Sequence, residues 1–176
     1  MLQASKEWQW VSCRQRNRLL VDLGEELILC TPFRLRQLTQ DAYSDPHLSI
    51  NEAAYYQNVF TYLRSFNIWS EPQCCQIALN ATAAKFYLLP VQAKSWFFES
   101  YTGDQPCTEA IVRLRSTQQE GDFFIVEQVD GACLCISLSP QFALDENLEL
   151  EQFQAIKVLN NRIHPLISCN KISQMA

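Results

Sequence analysis

The hydrophobic spacing of this chain changes near residue 93, and that change limits its fold more than any other feature. Before it, two segments carry apolar residues at helical intervals; after it, apolar and polar residues alternate along a series of short runs. Period 3.6 marks helices with one buried face, and period 2 marks strands with one buried face. Helices confined to one part and strands gathered in the other predict an α+β protein rather than alternating β–α units.

The first thirty residues read as strands. Trp8 and Trp10 flank Gln9 and would share one face. The runs 18–23 and 27–30 are apolar and are separated by Gly24-Glu25-Glu26, a hairpin loop. Thr31-Pro32 reads as an N-cap followed by proline, opening a short helix through Leu38. Residues 39–48 read as a loop. Two helices follow. Ser49-Ile50-Asn51-Glu52 is a capping box, in which the hydroxyl and the carboxylate each satisfy a free backbone N–H. The expected buried stripe is Ile50, Ala53, Ala54, Phe60, Leu63 and Phe66. Ser70-Glu71-Pro72-Gln73 repeats the box, with proline tolerated in the first turn. There the stripe is Ile77, Ala81, Ala84 and Leu88, ended by Pro90.

Beyond the change of period, residues 95–101, 110–116, 123–128 and 132–139 read as strands. Val112 and Leu114 face one way, with Arg113 and Arg115 on the other. Asp130-Gly131 is a hairpin turn signal. Residues 142–150 supply one or two more strands, and 155–159 another. Short antiparallel strands in this number close or half-close into a twisted barrel, which hides their edges. The expected organisation is an α/β domain over 1–92 built from a small antiparallel sheet plus helices. An all-β, barrel-like domain over 93–169 and a frayed tail over 170–176 complete it.

Composition narrows the function. Gly24, Gly103, Gly121 and Gly131 are the only glycines. They lie too far apart to build a P-loop or a dinucleotide-binding turn. The net charge is −5, with none of the basic excess of a nucleic-acid binder. No apolar run is long enough to span a bilayer, and the N-terminus does not read as a signal peptide, so the expected compartment is the cytoplasm. Asp145, Glu146, Glu149 and Glu151 read as a solvated edge, with a docking surface as the other reading. Eight cysteines appear without a C-x-x-C pair, so they read as buried reduced thiols rather than a zinc site. Neither His47 nor His164 sits in a nucleophile motif, and no metalloprotease or nucleophile-elbow motif occurs. The expectation is a binding protein with no catalytic residues, no cofactor and no metal.

The candidate contacts are cationic and aromatic. Arg34 and Arg36 alternate, Lys85 lies near the end of the second helix, and Lys94 is followed by Ser95 and Trp96. A cation beside tryptophan is a reasonable docking element; a core tryptophan is the other reading of Trp96.

The ordered run of Trp8-Gln9-Trp10, residues 18–23, Phe33, residues 38–44, Ala53-Ala54, Phe66-Asn67, Leu79-Asn80-Ala81, Tyr87-Leu88, Pro90, Lys94-Ser95-Trp96, Val126-Glu127, Ala132-Cys133-Leu134, residues 155–162 and Pro165 resembles the ZapC family, the Z-ring-associated cell-division proteins of gamma-proteobacteria. The resemblance spans nearly the whole chain. It implies a cytoplasmic, non-enzymatic protein at mid-cell that binds the tubulin-like GTPase FtsZ, bundles its protofilaments and lowers its GTP turnover. It implies no nucleic acid or membrane partner, and a monomer or weak self-association. Because FtsZ is acidic, Lys94 is the best-matched contact, and Val21 is expected to line an N-terminal apolar pocket. The family can carry a lysine just before the proline that follows the second helix. This chain has Leu89 there, and Lys85 is the candidate replacement. The competing expectation is a regulatory module that holds a small ligand in a barrel or interdomain pocket.

Overall fold

The computed structural model describes residues 3–104 and 107–166. The expected frayed tail, and Cys169 with it, lie outside them. Contacts divide the chain into two compact units, Met1–Pro90 and Val91–Ala176.

The first unit holds a three-stranded antiparallel sheet of β1 (Gln9–Cys13), β2 (Arg18–Asp22) and β3 (Ile28–Cys30), in that order. Trp10 pairs with Val21, and Val21 with Leu29. That register puts Trp10, Leu19 and Val21 on one face, and all three are fully buried. Gly24, Glu25 and Glu26 all take positive φ in the β2–β3 turn, and the Asp22 carboxylate holds it by accepting the Gly24 N–H at 2.9 Å. A short polar side chain that bonds to the backbone two residues on stabilises such turns.

The helix expected from Thr31-Pro32 is instead a single 3-10 turn, Leu35–Gln37. The backbone of residues 31–33 is held alongside β2: Thr31 N–H donates to the Leu19 carbonyl and Leu19 N–H to the Phe33 carbonyl, both at 3.0 Å. The buried Thr31 hydroxyl adds to this by donating to the Leu19 carbonyl at 2.7 Å, while it accepts from Phe33 N–H. A second 3-10 turn, Gln40–Ser44, occupies the expected loop.

Both capping boxes form. They open α1 (Ile50–Arg64) and α2 (Glu71–Tyr87). The buried stripe of α1 is only partly the expected one. Phe60 and Leu63 are buried as expected, but Ile50 is 88% exposed and Ala54 is exposed, while Glu52, Tyr56 and Val59 face inward. The first turns bury a glutamate and a tyrosine, which an apolar count does not select. Helix α2 is buried over most of its circumference, from Cys74 through Ala84.

The second unit begins differently from the expected strand over 95–101. Ser95–Phe97 is a 3-10 turn, and Phe98, not Trp96, enters the core. A four-stranded antiparallel sheet follows, in the order β4 (Ile111–Arg115), β5 (Glu120–Val129), β6 (Ala132–Ser137) and, from the far end of the chain, β9 (Ala155–Leu159). Between them, β7 (Gln141–Ala143) and β8 (Glu149–Glu151) form a hairpin. Asp130 and Gly131 take the two positive φ values that their tight turn requires. Val112, Leu114, Phe123, Cys133, Cys135, Phe142 and Val158 form the core with Phe98.

The sheet curls back on itself. After β9 the chain makes one 3-10 turn, Asn160–Arg162, and His164 exchanges both backbone hydrogen bonds with Arg113 of β4, at 2.9 and 3.0 Å. The chain that supplies one edge of the sheet, β9, thus continues into a bridge to the other edge, β4, the half-closed form of a barrel. A bulge between Ile125 and Glu127 of β5 shifts the register, so Gln128 lies opposite Cys133.

Candidate functional site

The six residues singled out from the sequence fall on both units. In the first unit, Arg34 and Arg36 are exposed on the 3-10 turn, and neither forms an ion pair with a described residue. The turn is held at its base. Gln37 Oε1 accepts the Arg34 N–H at 2.8 Å, and the Gln37 carbonyl accepts the Leu89 N–H at 2.8 Å. Leu38 bridges to Leu88, and Thr39 N–H donates to the Tyr87 carbonyl. These bonds tie the arginine turn to the C-terminal end of α2, where Lys85 sits. Lys85 is already engaged, with its ammonium 5.4 Å from the centroid of the Tyr55 ring. Val21 is fully buried under the sheet, so its side chain serves the core and presents nothing to solvent.

Lys94 and Trp96 occur together in the second unit. Lys94 is exposed, and its N–H donates to the Lys157 carbonyl at 2.8 Å. Trp96 is 69% exposed, the most exposed aromatic among the described residues. It stands on a turn that is fixed from below. The Ser95 hydroxyl accepts the Leu159 N–H at 2.9 Å, and the Ser95 carbonyl accepts Arg162 Nε–H at 3.1 Å. Arg162 Nη1 also donates to Ser100 at 2.8 Å. Phe97 packs on the core, with its ring 5.5 Å from the indole. A large aromatic held outward on an immobilised turn loses little conformational freedom on binding, which is what makes tryptophan an interface anchor.

Two cations of this patch were invisible to sequence reasoning. Lys157 lies beside Ala93 through a parallel bridge, and Arg162 braces the tryptophan turn. Both reach it across more than sixty residues of chain, and no local spacing signals such a pairing. Leu159, half exposed, extends the apolar surface next to Ser95.

Five of the described thiols are shifted away from the reactive thiolate form. Burial pushes those of Cys74, Cys75, Cys107, Cys133 and Cys135 above the ordinary cysteine value, the reverse of a reactive thiolate. Buried His164 places its ring Nε2 3.1 Å from the Glu99 carbonyl and packs edge-on against Tyr101, a structural role. A cavity of about 310 Å³ opens at one end of the sheet, beside Cys107, Glu109, Gln128, Cys133, Asn160 and Ile163. Cys133 donates to Asn160 Oδ1 there at 3.1 Å. Among the described residues, no helix is long and apolar enough to cross a membrane.

Comparison with known proteins covers the same two segments. The family model described as the N-terminal part of the cell-division protein ZapC matches residues 1–89, and that of the C-terminal part matches residues 90–168. The cell division protein ZapC of Pseudoalteromonas translucida is 56% identical over 176 residues, the full length of both chains. Its counterpart in Ferrimonas balearica is 33% identical over 90% of this chain and 89% of its own. That of Shewanella oneidensis is 33% identical over 94% of each.

Proposed function

The chain belongs to the ZapC family of cell-division proteins, and from that premise we propose that it binds FtsZ in the cytoplasm at mid-cell. There it bundles protofilaments laterally, stabilises the Z-ring and lowers GTP turnover, without catalysing a reaction of its own. It works as a monomer or a weakly self-associating protein. The supporting observation is the exposed indole of Trp96, carried on a braced turn next to Lys94. A cation beside an apolar anchor suits an acidic filament surface, since charge complementarity speeds encounter and the aromatic supplies the contact energy. Arg34 and Arg36 form a second cationic turn, on the other unit. Bundling requires each molecule to touch more than one protofilament, and two separate cationic turns supply two contacts.

The test is sedimentation of GTP-polymerised FtsZ with and without the protein. An increased pellet and stronger light scattering are expected; unchanged sedimentation at several-fold molar excess overturns the reading. Lys94→Glu weakens binding with unchanged thermal stability, and equal affinity removes Lys94 from the contact. The cavity beside Cys133 favours a second reading, a small-ligand module. Ligand density found there after purification from cells, together with no effect on FtsZ, would favour it instead.

A further inference from the structure

The sheet of the first unit has two edges, and they are treated differently. Outside β1, the chain leading to α1 runs alongside: Trp10 N–H donates to the Pro46 carbonyl at 2.9 Å, Leu48 N–H donates to the Trp8 carbonyl at 3.1 Å, and Gln9 bridges to His47. Outside β3 no described residue pairs. Leu23 N–H donates to Leu27, and Thr31 N–H donates to Leu19. With Val21 opposite Leu29, positions 27, 29 and 31 therefore face β2. Hydrogen-bonding direction alternates along an antiparallel strand, so the N–H and C=O groups of Ile28 and Cys30 point away from the sheet. Leu27 is 52% exposed, Ile28 is 54% exposed and Cys30 is exposed. Proteins ordinarily blunt such an edge with lysine, proline or a covering loop. Here Pro32 comes only after the strand, and the edge itself carries apolar side chains.

The charges flanking the edge are polarised. Glu25 and Glu26 stand exposed before β3; Arg34 and Arg36 stand exposed beyond it, unpaired with any described residue. We propose that the free edge of β3 accepts an extended segment of the protein's partner as a fourth strand. That segment carries apolar side chains opposite Leu27–Cys30 and acidic residues at the end that lies beside Arg34 and Arg36. Main-chain hydrogen bonds to Ile28 and Cys30 supply register, and the arginines select the acidic end. The inference rests on the proposed binding of FtsZ, and it assigns to the arginine turn a partner of definite chemistry.

Ile28→Pro tests it, because proline on an edge strand removes only the N–H that faces solvent. Its affinity for polymerised FtsZ falls about five- to tenfold, the loss of one outward donor and its neighbour's geometry. Ile28→Val, which keeps the donor and the apolar contact, stays within about twofold of the wild type. Amide hydrogen exchange of the unmodified protein guards against a variant that fails to fold. The amides of Ile28 and Cys30 exchange freely alone and are slowed at least about tenfold on the polymer. Binding by the wild type with Ile28→Pro unaffected and both amides still free overturns the proposal while leaving FtsZ binding intact. Protection of both amides by concentrating the protein alone, with a doubled mass, overturns it in favour of a second copy. Absence of any wild-type binding removes the functional reading on which it stands.

Discussion

The two long helices open with the same four-residue device, and the fold uses the two copies differently. In α2 the Ser70 hydroxyl accepts from Gln73 N–H and Gln73 Oε1 accepts from Ser70 N–H at 2.9 Å; both side chains are exposed. In α1 the same reciprocal bonds join Ser49 and Glu52, but Glu52 is only 3% exposed. Its other oxygen accepts Trp10 Nε1–H at 2.8 Å. One carboxylate thus caps α1 and ties it to β1. The lesson is that a local motif states where a helix begins, whereas its neighbours in space decide how much that beginning matters.

The largest test of this contrast is Glu52→Ala. It strands a buried indole N–H and a helix N-terminal amide at once, so about 3 kcal/mol of stability is lost, read by urea unfolding. The matching Gln73→Ala costs about 0.5 kcal/mol, because water replaces the lost acceptor. Equal losses would break the comparison. Ser49→Ala and Ser70→Ala each cost about 1 kcal/mol, the ordinary value of a hydroxyl cap; a much larger loss at Ser49 would show that the cap also positions Glu52. The smallest effect is alkaline. Burial raises the Cys75 thiol and the Tyr56 phenol, which hydrogen-bond to each other between α2 and α1. The folded protein holds these protons more tightly than the unfolded chain does, so their contribution is fully present below the ordinary thiol value of about 8.5 and is lost as pH rises beyond it. The melting temperature therefore falls between about pH 8 and 10, and Cys75→Ala flattens that fall.

Much of the fold was legible because its signals are local. The Gly24 and Asp130-Gly131 turns, both capping boxes, and strand β9 over 155–159 all stand where the residues predict them. What failed depended on contacts distant in sequence. Thr31-Pro32 looked like a helix start, but backbone bonds of Thr31 and Phe33 to Leu19 keep that stretch alongside β2. Ile50 looked buried because an apolar count cannot know that Glu52 turns inward to accept the Trp10 indole N–H while capping the helix. Within the candidate surface, Lys94 and Trp96 were readable as a cation next to an aromatic. Lys157 and Arg162 were not, because β9 and the turn after it return to the Lys94–Trp96 segment only after the chain has traversed most of the second unit.

The return of the chain from β9 to β4 also sets an order of events during synthesis. Every strand of the first sheet, and both helices, have been made by residue 90, so that half can settle while the ribosome is still translating the rest. The second half has no such option. Its tryptophan turn waits for Leu159 and Arg162, and its first strand for His164. Domains tend to fold as units from the N-terminus, so a transcript broken anywhere before those last codons yields an ordered first half trailing strands that have nothing to close against, with the sticky ends of a sheet on display to the cell's quality control.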